Sequence, residues 1–150
     1  MTDSAILSIP VQVYIGPAEG NLPVPDNVPT DAPTQALYTY VDPASGQQVT
    51  YAPACILNAE SPYETVFTLD VPSTRHGWTF YGALPSGKNG AVPRYVISEN
   101  QQSLTTATDK SIQAYRFFLS FYNKPTGMSF KDDPQENNVP KVKTPDDDHP

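Results

Sequence analysis

The run Tyr115-Arg116-Phe117-Phe118-Leu119-Ser120-Phe121-Tyr122-Asn123-Lys124-Pro125-Thr126-Gly127-Met128-Ser129-Phe130 decides the fold class. Tyr115, Phe117, Leu119 and Phe121 alternate with Arg116, Ser120 and Tyr122. A two-residue period belongs to a β-strand that lays one face on a core. Phe118 breaks the alternation and gives the second face an apolar spot. Pro125 and Gly127 then signal a turn, since proline presets one backbone angle and glycine accepts the left-handed one. Met128-Ser129-Phe130 returns to the sheet.

The same period recurs upstream. Leu7, Ile9, Val11, Val13 and Ile15 occupy odd positions, and Pro10 points that strand to an edge or a bulge. Residues 36–41 and 48–51 flank Asp42-Pro43-Ala44-Ser45-Gly46, a hairpin signature. Ala54-Cys55-Ile56-Leu57 reads as a short buried strand. Thr65, Phe67, Leu69 and Val71 alternate with Glu64, Thr68 and Asp70. Trp78, Phe80 and Gly82 fall on one side of the next strand, with Thr79 and Tyr81 on the other. Tyr95-Val96-Ile97 resumes the sheet after an Asn89-Gly90 turn signal.

Seventeen prolines stand between the apolar runs, and no window carries a helical stripe. The expected fold is an all-β, antiparallel β-sandwich of about seven to nine strands, with a barrel as the alternative. One domain over 1–140 is expected, with a Pro-rich loop over 16–34 and a disordered acidic tail over 141–150.

The net charge is −7, which repels phosphate backbones and anionic membrane surfaces, so neither nucleic acid nor membrane is an expected partner. No apolar run approaches a membrane span. Met1-Thr2-Asp3-Ser4 lacks the basic start of a signal peptide, so a cytoplasmic protein is expected, with non-classical export left open. Cys55 is the single cysteine. It can form no internal disulfide, and its apolar neighbours mark it as core.

The constellations for chemistry are thin. Gly82-Ala83-Leu84-Pro85-Ser86-Gly87-Lys88 has phosphate-loop spacing, but Asn89 takes the magnesium-ligand position and Gly90 and Pro93 stand where a helix should start. His76 and His149 are the only histidines, and no zinc spacing or calcium loop is present. Glu60, Glu64, Asp70, Glu99 and Asp109 could serve a small carboxylate-dependent hydrolase, yet no spacing singles out a pair. The expectation is no enzyme, no catalytic residue, no metal and no cofactor.

Binding is better supplied. The chain has nine tyrosines, six phenylalanines and one tryptophan. Alternation leaves Tyr38, Tyr40, Tyr81 and Tyr122 on faces that pair across strands or meet a partner, with Trp78 beside them. A homo-oligomer is expected because bare sheet edges invite a second copy. A protein or glycan partner is the further expectation, the glycan held by rims at 16–34 and Ser86–Gly90.

From Phe67 onward the features run Phe67-Thr68-Leu69, Gly77-Trp78-Thr79-Phe80-Tyr81-Gly82, Ile97-Ser98-Glu99, Gln102-Ser103-Leu104, Tyr115-Arg116-Phe117-Phe118-Leu119 and Gly127-Met128-Ser129-Phe130. Asp133-Pro134-Gln135-Glu136-Asn137-Asn138-Val139-Pro140 closes the series. This order resembles the DP-EP family of bacterial proteins and, more distantly, the AidA/PixA inclusion-body proteins. The chain has no Glu-Pro dipeptide. The resemblance spans roughly 65–140 and implies a Greek-key β-sandwich, no catalytic residues, and a self-associating or ligand-binding role. Asp133, Pro134 and Asn137 are read as a strap, with Asp133 fixing a turn, Pro134 stopping sheet pairing and Asn137 capping backbone groups.

Overall fold

The computed structural model describes residues 6–17, 34–43, 45–52, 55–60, 62–88, 90–109, 112 and 114–139. Most of the Pro-rich loop and all of the acidic tail therefore lie outside the described residues. Gly16 and Pro17 continue the first strand and Thr34 begins the second.

The chain is mostly β. Its strands are β1 Leu7–Pro17, β2 Thr34–Val41, β3 Gln48–Ala52, β4 Ile56–Glu60, β5 Tyr63–Leu69, β6 Trp78–Pro85, β7 Arg94–Ile97, β8 Ser103–Ala107, β9 Ala114–Asn123, β10 Met128–Asp132 and β11 Gln135–Val139. One sheet has the order β3-β2-β1-β5-β8-β7. In the other, β9 pairs with β6, β10 and β11, and β11 pairs with β4. Neither sheet closes into a barrel.

Both sheets are mixed, a departure from the antiparallel expectation. β1 runs parallel to β5, and β4 runs parallel to β11. Alternation of side chains is identical in the two pairings, so the period carries no information on strand direction.

One short helix, α1 Val71–Arg75, replaces the end of the strand expected to reach Val71. Asp70 accepts a hydrogen bond from the Ser73 N–H at 3.0 Å, and Pro72 fits the first turn, where its missing N–H costs nothing. The Ser73 hydroxyl in turn accepts from the Ile15 N–H at 2.8 Å, tying α1 to β1. Gly77 ends the element at φ +89°, a left-handed backbone that favours glycine. Among the described residues no helix is long and apolar enough to cross a membrane.

Buried side chains of the two sheets form one cluster, with Tyr38, Phe67 and Leu104 from the first and Phe80, Phe117, Leu119 and Phe121 from the second. Phe80 and Phe121 sit 5.1 Å apart between ring centres, and Phe130 stacks on Phe121 at 5.9 Å. β9 keeps the expected face inward: Tyr115, Phe117, Leu119 and Phe121 are all buried.

Polar ties also cross between the sheets. The Tyr38 hydroxyl donates to Asp132, and the Tyr63 hydroxyl donates to the Asn137 carbonyl at 3.0 Å. Thr106 on β8 donates to the carboxyl of Glu136 on β11, 3.0 Å from one oxygen and 2.7 Å from the other.

Candidate functional site

The outer face of the second sheet carries the site. β6 and β9 pair Thr79 with Tyr122 and Gly82 with Ser120, and the register shifts between Phe80 and Gly82. Tyr81 is thus an extra residue on β6, and a bulge of this kind re-aims a side chain outward. Tyr81 is 70% exposed. Tyr122 is 36% exposed, and its ring centre lies 6.2 Å from that of Tyr81.

A third tyrosine arrives from the first sheet. Tyr95 on β7 pairs with the buried Thr106, so it belongs to the core-side face of its sheet. β7 is an edge strand, and the ring overhangs β6. A Cβ on Gly82 would lie 3.4 Å from the Tyr95 hydroxyl, an ordinary contact distance that places this phenol over the Gly82 backbone. On the opposite flank β10 sets Ser129 beside Tyr122 and Lys131 beside Ser120. Together with Ala83 and Leu84 these residues line a groove of about 760 Å³.

The expected binding residues separate sharply. Tyr81 and Tyr122 come together in the groove. Tyr38 and Tyr40 do not join them: they pair with Val13 and Val11 of β1, whose side chains face the core. Tyr38 is fully buried with its hydroxyl on Asp132, and the Tyr40 hydroxyl points to the Ile56 carbonyl at 3.4 Å. Trp78 is also core, at 9% exposure. Tyr95, Leu84, Ser129 and Lys131 were missed. Tyr95 was read only as part of the strand Tyr95-Val96-Ile97, and its neighbour on β6 is not visible in the sequence.

The expected strap is an inner strand. β10 pairs Asp132 with Leu119, and β11 pairs Gln135 with Arg116, so the register runs on unbroken past Asp133 and Pro134. Pro134 lacks the N–H for a ladder bond and interrupts the pairing locally without turning the chain away. Asn137 caps no sheet end. Its side-chain amide donates to Asn58 on β4 at 2.9 Å and accepts from Gln135 at 2.9 Å.

Glu136, between these residues, points into the protein and is completely buried. Burial pushes its carboxyl up to about 7, against a smaller opposing effect of the Thr106 and Thr65 hydroxyls. The Thr65 hydroxyl faces the same space but makes no hydrogen bond of its own among the described residues. Asp132 is raised as well, by desolvation, although the Tyr38 hydroxyl favours its charged form.

The rest of the chemistry is dispersed. Burial holds the Cys55 thiol far above the range where it could ionise. The Asp70 carboxyl caps α1, while Glu99 and Asp109 are exposed in separate loops. Among the described residues no three His, Cys, Asp or Glu side chains stand together as a metal-binding set.

No protein-family model matches this chain, and no curated protein matches it.

Proposed function

We propose that the protein is a non-catalytic β-sandwich with Greek-key-like connections that binds protein partners, including its own copies, through the Tyr81–Tyr95–Tyr122 groove. The observation that carries this is the composition of the groove: three tyrosines, two serines, a glycine and one lysine on rigid strands. Tyrosine supplies large amphipathic contact area at low entropic cost, and serine and glycine supply adaptable hydrogen bonding, the same mixture that protein-binding paratopes use. The resemblance to the DP-EP family, which implies no catalytic residues, points the same way. The single buried thiol fits a cytoplasmic setting.

Sedimentation of the full chain over a concentration series tests the self-binding form. Association that weakens at least tenfold in a Tyr81→Ser/Tyr122→Ser variant is the expected result. A monomer at every concentration removes it.

A glycan is the second reading, because tyrosine faces and serine hydroxyls also suit sugar rings. Of the rims first expected for it, 16–34 and Ser86–Gly90, the described residues do not line the groove, and residues 18–33 and 89 lie outside the described residues. A glycan-array signal lost in the same double variant would put sugar in place of protein.

A further inference from the structure

Resting on that reading, we propose that the groove takes the acidic C-terminal segment, Pro145-Asp146-Asp147-Asp148, of a second copy of this chain.

Charge is the first reason. Among the described residues Lys131 is the one charged residue that lines the groove, on a molecule whose net charge is −7. Its side chain is exposed and makes no hydrogen bond or ion pair among the described residues. A cation left open beside aromatic rings in an acidic protein selects an anionic occupant, by direct attraction and by its contrast with the surrounding field. Asp133, just beyond the end of β10, does not line the groove.

The chemistry of the segment matches. Pro140, Pro145 and Pro150 punctuate the sequence of residues 140–150, and proline-rich sequence favours an extended backbone whose carbonyls can accept from phenol donors. Proline rings pack on exposed aromatic side chains, as in the recognition of Pro-rich segments by aromatic-lined grooves. Three consecutive aspartates follow Pro145 and can meet Lys131.

Reach decides between the chain's own groove and a neighbour's. β11 runs away from the groove, with Asn137 paired to Ala114, six positions from Ser120 along β9. Val139, two positions further, therefore leaves the sheet about 26 Å from the Ser120–Lys131 part of the groove at ~3.3 Å per residue. Asp148 is nine residues further on. A reversal consumes about four of these, and the remaining five span at most about 17 Å. The acidic run falls short of its own groove and is free to enter another copy's.

The test uses the full chain and a fluorescent peptide of residues 138–150. Anisotropy reads peptide binding, and sedimentation reads assembly. Saturable binding is expected, weakened at least tenfold by Tyr122→Ser and severalfold by Lys131→Glu. Assembly should weaken in the Asp146→Asn/Asp147→Asn/Asp148→Asn variant. A charge swap, Lys131→Glu with Asp146→Lys/Asp147→Lys/Asp148→Lys, should restore part of it. Thermal melts confirm that each variant is folded.

Unchanged assembly after neutralising the three aspartates, or tighter binding of a peptide of residues 20–33, overturns the inference and leaves the groove's protein-binding role standing. Assembly that ignores Tyr81→Ser/Tyr122→Ser overturns both.

Discussion

Tyr38 and Tyr81 are the same side chain used in opposite ways. Tyr38 lies on β2 opposite Val13, its ring edge-on to Phe67 at 6.3 Å and its hydroxyl on Asp132. Tyr81 lies at a strand irregularity with its ring in solvent, touching Tyr122. The first stabilises the fold, and its buried hydroxyl needs an acceptor to offset desolvation. The second contributes little to the fold and is available to a partner. What separates them is the neighbouring strand: a β1 residue that faces the core for one, a shifted register for the other.

The sharpest way to break this contrast is truncation. Tyr38→Ala is expected to cost about 3–5 kcal/mol, the usual loss for a large buried aromatic, measured by chemical denaturation. Tyr81→Ala should stay within about 0.5 kcal/mol of wild type. Equal losses at the two positions would end the distinction.

A pH series extends the contrast from aromatic to carboxyl groups. Glu136 is raised in the fold to about 7 from the usual carboxyl value. The fold therefore favours the protonated form. The cost of ionising it is absent below the unfolded value near 4.5, grows as pH rises, and is complete above the folded value of about 7. Stability is expected to fall by roughly 3 kcal/mol across that window, and Glu136→Gln should flatten that part of the profile. A profile equally steep in wild type and Glu136→Gln would assign the dependence to other carboxyls.

Removing only the hydroxyl sharpens the reading of Tyr38. Tyr38→Phe keeps the ring and leaves Asp132 without its donor, for an expected loss of about 1–3 kcal/mol. Tyr122→Phe is expected to move stability by less than about 0.5 kcal/mol, because its hydroxyl makes no bond among the described residues. The smallest effect is thus in the groove, where substitutions should alter binding and leave the melting curve alone.

Legibility in the sequence follows the same divide. The inward face of β9 and the hairpin at Asp42–Gly46, closed by Gly46 N–H to the Asp42 carbonyl at 2.7 Å, were readable because period and turn chemistry are local. The outward direction of Tyr81 and Tyr122, two of the nine residues that line the groove, was readable for that reason, as both alternate away from Phe80 and Phe121. Tyr95 was not, since it enters from β7 of the other sheet, and Lys131 was not, since the returning strand was read only as far as Phe130. Nor was α1, where five residues are too few to show a period.

By itself, the sequence determined that this chain is β-rich and that one face of β9 is core. These follow from local spacing and residue type. Only the tertiary structure decided that the sheets are mixed, that Asp133-Pro134 lies in line with an inner strand, that Glu136 is a buried carboxyl, and that Tyr38 is core while Tyr81 is surface. Each depends on which strand lies alongside and in which register. Strand pairing brings together residues dozens of positions apart, and side-chain alternation carries no record of that choice.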